Sequence, residues 1–161
     1  MSTKLRELQR KDRDVLEIML SEIPSFDEED QAIALELIDI ALNDPEQKDY
    51  LLSLAVDEND RPLGYACYGP TPLTDGTFDL YWIAVDHNLT SKGIGTLLLK
   101  AVEDDIRKRH GRMLIIETSS SQEYDKTRQF YLKNNYPLVE TIKDFYRTGE
   151  DRVTFIKRFI D

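Results

Sequence analysis

The sequence is poor in the residues that most covalent and metal chemistry requires. One cysteine, Cys67, stands in 161 residues, so no internal disulfide can form, and that thiol reads as a small core residue. The two histidines, His87 and His110, are far apart, and no metal site is expected from them. No apolar run approaches the ~18 residues of a membrane span, and the opening Met-Ser-Thr-Lys-Leu-Arg-Glu lacks the apolar stretch of a secretory leader. A cytoplasmic protein with no membrane partner is therefore expected. Positive charge is also scarce: 21 Lys and Arg against 31 Asp and Glu leave a net charge of −10. Nothing resembling a basic patch offsets it, so nucleic acid is not an expected partner.

What is present suits an ordinary globule. A chain of 161 residues with 40% apolar and 32% charged side chains can bury most of its unfolded surface around one core, so residues 1–161 are expected to form a single domain, monomeric or homodimeric. The acidity is localised. Residues 21–50 hold ten Asp or Glu and one Lys, which accounts for nearly all of the net charge. No internal repeat or low-complexity tract interrupts the chain.

Lys4 to Leu8 reads as a short strand, followed from about Asp12 by a helix with Val15, Ile18 and Met19 on its buried face. Ser25-Phe26-Asp27-Glu28 has the form of a capping box, opening a second helix whose stripe is Ile33, Leu37, Ile40 and Ala41. Tyr50–Val56 and Leu63–Tyr68 read as an antiparallel hairpin, and Asp75-Gly76 turns the chain into the next strand. Met113–Ile116 is a continuous apolar run ending in Glu117, the pattern of a buried strand parallel to its helix-linked neighbour. Tyr124–Asn134 reads as a helix with Thr127, Phe130 and Tyr131 inward, closed by Asn134-Asn135, where asparagine can take the left-handed cap. Pro137–Ile142 and Val153–Phe159 complete the chain as strands.

The stretch Phe78–Lys100 organises the rest. Alternation places Phe78, Leu80, Trp82 and Ala84 on one face of a strand, with Asp79, Tyr81, Ile83 and Val85 on the other. A polar loop, Asp86–Lys92, leads into a helix whose apolar side is Ile94, Leu97, Leu98, Ala101, Val102 and Ile106, with Lys100, Glu103, Asp104, Arg107 and Lys108 opposite. Gly93 and Gly95 thus sit where a strand becomes a helix. Free backbone N–H groups at the positive end of the helix dipole, with no Cβ in the way, suit an anion such as a phosphate. A dinucleotide fingerprint is excluded because Leu98 stands at the third glycine position, and no Walker loop is present.

The loop Thr90-Ser91-Lys92-Gly93-Ile94-Gly95 resembles the pyrophosphate loop of the Gcn5-related N-acetyltransferases, the GNAT family, whose pattern is Gln/Arg-x-x-Gly-x-Gly/Ala; Thr90 replaces the usual first residue. Phe130-Tyr131-Leu132-Lys133-Asn134-Asn135-Tyr136 resembles the family's Phe-Tyr-x-x-x-Gly-Phe, with Asn135 for Gly and Tyr136 for Phe. The family commonly places an asparagine seven residues before that tyrosine, and Tyr124 stands there. The element order β-α-α-β-β-β-α-β-α-β-β extends the resemblance over the whole chain. It implies an α/β class (α+β mixed sheet), the GNAT acyl-CoA N-acyltransferase fold, with splayed parallel strands in a central mixed sheet flanked by helices.

The resemblance further implies transfer of an acetyl group from acetyl-CoA, with no metal, to a primary amine of a small molecule or peptide, by direct attack in a ternary complex. The residues expected at CoA are Thr90, Ser91, Lys92, Gly93, Ile94, Gly95 and Thr96 for the pyrophosphate, Ile83, Ala84 and Val85 beside the thioester, and Tyr124 and Thr127 along the pantetheine. Tyr131 matches the family's general acid. A protonated amine must lose a proton before attack, and Asp79 and Glu117 are the candidate bases. The acidic segment suggests a cationic acceptor. The rival is a non-catalytic acyl-CoA-binding or sensing module that keeps the loop and lacks turnover.

Overall fold

The computed structural model of the chain describes residues 2–90 and 92–159. Among these, the elements run β1 (Lys4–Glu7), α1 (Arg13–Ser21), α2 (Glu28–Asn43), β2 (Leu51–Val56), β3 (Pro62–Pro70), β4 (Thr77–Val85), α3 (Ile94–Lys108), β5 (Met113–Ser119), α4 (Asp125–Lys133), β6 (Leu138–Arg147) and β7 (Glu150–Arg158). The strands form one mixed sheet in the order β1-β2-β3-β4-β5-β7-β6. Only the β4–β5 pair is parallel, joined by the crossover through α3; every other pair is antiparallel.

Each face of the sheet carries its own core. On one, Ile94, Leu98, Val102 and Ile106 of α3 and Tyr131 of α4 pack with Phe78, Leu80, Leu114, Ile116 and Phe155. On the other, Leu16, Met19 and Leu20 of α1 and Ala34 and Ile38 of α2 cover Leu54, Tyr65, Cys67 and Ala84. Each leucine so buried contributes about 1.5–3 kcal/mol.

The expected alternation along β4 holds only to Leu80. In the β3–β4 ladder Tyr68 faces Leu80 and Cys67 faces Trp82, so Tyr81 has no opposite number and forms a β-bulge. One extra residue exchanges the faces of everything beyond it. Ile83 and Val85 therefore pack with Phe78 and Leu80 on the α3 side, while Tyr81, Trp82 and Ala84 lie on the α1–α2 side.

Local expectations also shift elsewhere. The buried face of α1 is Leu16, Met19 and Leu20, with Val15 half-buried and Ile18 60% exposed. Its phase is set upstream, where both guanidinium Nη atoms of Arg6 donate to the Asp12 carboxylate at 2.8 Å. Helix α2 is capped two residues later than expected, by Asp27, which accepts from the Asp30 amide at 2.8 Å while Asp30 returns the bond. Its innermost side chains are Ala34 and Ile38, and Ile33 is exposed. Glu103, expected on the wet side of α3, is buried because Tyr136 and Lys157 both donate to its Oε2, at 2.7 and 2.9 Å. Asn135 does take the left-handed conformation, φ 68°.

Candidate active site

The two central strands pair only from Thr77↔Met113 to Leu80↔Ile116. Beyond that point β4 continues to Val85 along β3, reaching the Val85↔Gly64 register, and β5 continues to Ser119 along β7. The bulge at Tyr81 falls where pairing stops, and a bulge bends its strand and adds twist. A wedge-shaped slot results, edged by backbone groups of Tyr81–Val85 and Glu117–Ser119 that have no strand partner across it. Such edges can pair with an extended ligand that carries amides of its own. Ile83, Ala84 and Val85 all lie on this edge.

The N-terminus of α3 stands at the end of the β4 lip. Gly93 is its N-cap in the left-handed conformation, φ 84°, and no side chain caps the helix. The amides of Ile94, Gly95 and Thr96 therefore emerge without an intrahelical acceptor. The two glycines have different roles. A Cβ on Gly93 would meet nothing within 4 Å, so its requirement is the backbone angle; a Cβ on Gly95 would stand 3.3 Å from two ring carbons of Phe130. The Lys92 amide is less available than expected, since it donates to the Leu89 carbonyl at 3.3 Å. Thr90 is exposed, with its hydroxyl donating weakly to the His87 carbonyl at 3.4 Å. Ser91 lies outside the described residues.

Tyr131 is 4% exposed and packs among Phe130, Tyr136 and Phe155, on the same face of the sheet as Ile83 and Val85. Burial pushes its phenol pKa up. Thr127 is half-buried one turn earlier. Tyr124 does not extend α4 inward; its hydroxyl donates to the Ser25 carbonyl at 3.2 Å, tying the start of α4 to the connection between α1 and α2.

Asp79 and Glu117 project to the face opposite α3 and α4, separated along β5 by the Asp79↔Ile115 register. They are not equivalent. Asp79 lies inside the paired ladder and accepts a hydrogen bond from the Thr71 hydroxyl at 2.7 Å. Glu117 lies one residue past the last pair, with a side chain 46% exposed and Arg152 Nη1 3.7 Å away.

The structure adds an aromatic wall that strand alternation hides. By turning Trp82 as well as Tyr81 to the α1–α2 side, the bulge joins Tyr50, Tyr81, Trp82 and Phe26 in a chain of ring contacts at 5.7, 6.4 and 6.5 Å. Burial, with Asp79 next, raises the Tyr81 phenol to about 12. Two bulky aromatics in succession in an apolar strand were the available signal. Cys67 is fully buried and its thiol is pushed up to about 12 by burial, which suits a core residue and not a nucleophile. The acidic segment is partly internal wiring: Asp39 takes both a 2.6 and a 3.0 Å bond from Arg13, whose guanidinium holds that carboxyl below its usual range, and Glu22 pairs with His87 at 2.8 Å.

Comparison with known proteins gives one result for family and another for fold. The model of the acetyltransferase (GNAT) family matches residues 12–136. A crystal structure of a protein assigned to the GNAT acetyltransferases from Desulfovibrio desulfuricans is 35% identical, with 98% of this chain and 99% of that one covered and a TM-score of 0.93. Two more distant structures share the fold: the ribosomal-protein-S18-alanine N-acetyltransferase of Escherichia coli, at 17% identity, 98% and 94% coverage and TM-score 0.75, and an aminoglycoside 6'-N-acetyltransferase complexed with coenzyme A, at 19%, 98% and 98%, and 0.72. No curated protein sequence matches the chain. The family model and the 35% identical structure, together with the divergent central strands and the uncapped helix at their end, establish that this chain belongs to the acetyltransferase (GNAT) family.

Proposed function

We propose that residues 1–161 form one catalytic domain that transfers the acetyl group of acetyl-CoA to a primary amine. The observation that carries this reading is the divergence of β4 from β5 after Leu80↔Ile116, with the uncapped N-terminus of α3 at its end. Pantetheine is an extended chain with two amides and matches the unpaired strand edges. Pyrophosphate is an anion and matches the amides of Ile94, Gly95 and Thr96 at the positive end of the helix dipole. One of the structures that share the fold is complexed with coenzyme A, which supports coenzyme A as the ligand.

The acceptor approaches from the other face, past Trp82 and the two carboxylates. Glu117 is the better placed to take the amine proton, because it stands past the last paired residues, at the mouth of the slot, with Asp79 behind it. N–H groups of the Ile83–Val85 edge receive the charge that develops on the thioester oxygen, and Tyr131, on the opposite side of the slot, donates to the departing sulfur. An ammonium bordered by Asp79, Glu117 and the faces of Tyr81 and Trp82 would be held by charge and by cation–π attraction, so a cationic amine is the proposed acceptor class. The test is release of free CoA from acetyl-CoA on addition of amines that differ in charge and aromatic content, run beside a titration with CoA alone. Binding without release for any amine would favour an acyl-CoA-binding module; no binding would end both readings.

A further inference from the structure

We propose that α4 is the strut that holds the slot open, and that Arg128 is its positioning residue on the β5 side. This rests on the reading of the slot as the acetyl-CoA site. The two lips of the slot belong to different halves of the sheet, and no strand pairing joins them beyond Leu80↔Ile116. Their separation is set by what packs against them, and α4 contacts the first turn of α3, which follows the β4 lip, as well as the end of β5. On the α3 side, the Phe130 ring packs where a Cβ on Gly95 would stand 3.3 Å away, so the ring lies directly against the first turn of α3. On the β5 side, a single nitrogen of Arg128, Nη1, donates to the Ser119 and Ser121 carbonyls, both at 2.7 Å. The side chain is 19% exposed.

Ser119 ends β5, three residues past its last pair with β4, and Ser121 lies in the turn that follows, so one charged donor ties the unpaired end of β5 to the start of the connection to α4. The same end of β5 is pinned from the far side by the β6–β7 hairpin. Ser120 donates its amide to the Asp151 carbonyl at 3.0 Å, and the Asp151 amide returns a bond to the Ser120 hydroxyl at 2.7 Å. The end of β5 is thus fixed between α4 and β7. Phe130 and Arg128 sit two residues apart on the helix that also carries Tyr131, so slot width and the position of the phenol are set by one rigid element. A lysine at position 128 keeps the charge and the donors on a shorter side chain that cannot place them where Nη1 meets both carbonyls; a methionine fills the space and serves neither.

The experiment compares wild type, Arg128→Lys and Arg128→Met by calorimetric titration with acetyl-CoA, well below each melting midpoint, together with the acceptor KM at saturating acetyl-CoA. The expected result is a dissociation constant at least tenfold higher for Arg128→Met, a smaller rise for Arg128→Lys, and an acceptor KM within about twofold of wild type in both. A lowered melting midpoint with an acetyl-CoA affinity within twofold of wild type would make Arg128 a packing residue and overturn the proposal. If Arg128→Met does not fold, Arg128→Lys decides: a threefold or greater loss supports the strut, and unchanged affinity overturns it. Failure of wild type itself to bind acetyl-CoA would overturn the slot assignment and with it the strut.

Discussion

The indole N–H of Trp82 donates to the Tyr65 hydroxyl at 2.7 Å, which holds the ring on the face of the sheet that strict alternation denies it. Tyr65 is fully buried and Trp82 half-buried, so the bond is largely sheltered from water. Tyr65→Phe leaves the indole N–H without its partner and should cost about 1–3 kcal/mol. Trp82 is the single tryptophan of the chain, so its emission reports the change directly. An emission maximum and a denaturation midpoint both equal to wild type would show that the bond does not hold the ring.

The two loop glycines should respond differently to substitution. Gly93→Val forces a side chain into the left-handed region at a cost of roughly 1–2 kcal/mol and places carbons in the open space before the helix. CoA should then bind at least tenfold more weakly, about 1.4 kcal/mol. Gly95→Ala carries no backbone strain but presses on Phe130, which can yield by a few tenths of an ångström; its CoA affinity should stay within about threefold, less than ~1 kcal/mol. Equal losses from the two substitutions would mean that the Phe130 contact controls binding and the N-cap conformation does not.

The carboxylates are separable by their pH profiles. If Glu117 takes the amine proton, Glu117→Gln should lower kcat/KM by about 10²-fold or more and remove its ascending limb, while Asp79→Asn, which alters the bond from Thr71 and removes a charge beside the acceptor, keeps that limb. The reverse pattern assigns the base to Asp79. Retention of the limb in both variants would show that the acceptor arrives neutral.

Tyr131→Phe tests the leaving-group role. A free phenol already has a pKa about 1.5 units above a thiol, and burial raises Tyr131 further. Full proton transfer to the thiolate is therefore uphill, and the group stabilises sulfur by hydrogen bonding as charge develops. Removing only the oxygen should leave acetyl-CoA binding within about threefold, under ~1 kcal/mol, and lower kcat at least about thirtyfold. A kcat loss under threefold, with chemistry rate-limiting, would make Tyr131 a packing residue.

Alkaline pH should unfold the protein through its phenols. Burial raises the pKa of Tyr65, Tyr68, Tyr81, Tyr124, Tyr131, Tyr136 and Tyr146, whereas in the unfolded chain they ionise near ~10. Above that pH the folded state binds more protons than the unfolded one, so stability falls as pH rises. Their contribution is complete below pH ~10 and is lost as pH climbs through the raised values, of which that of Tyr81 is about 12. Urea midpoints at pH 8 and pH 10.8 measure this; equal midpoints would contradict it.

Local signals were enough for the order of elements, the parallel central pair and the position of the helix behind Gly93. These rest on period-2 and period-3.6 patterns and on turn residues, which act within a few positions. The left-handed Asn135 was legible for the same reason, as only a few residue types accept that backbone. The faces of β4 were not. Whether Trp82 turns to α3 or to α1 depends on Tyr68 pairing with Leu80 and Cys67 with Trp82, a register across two strands that no window of sequence contains. The buried Glu103 was illegible for a similar reason, since its partners lie 33 and 54 residues away, and only folding brings Tyr136 and Lys157 to it. The chain by itself thus determined which segments become strands and helices and that α3 begins behind a glycine with no side-chain cap. Tertiary structure decided where the slot opens, because the two strands part where β4 stays paired with β3 and β5 with β7, registers set by strands distant in sequence.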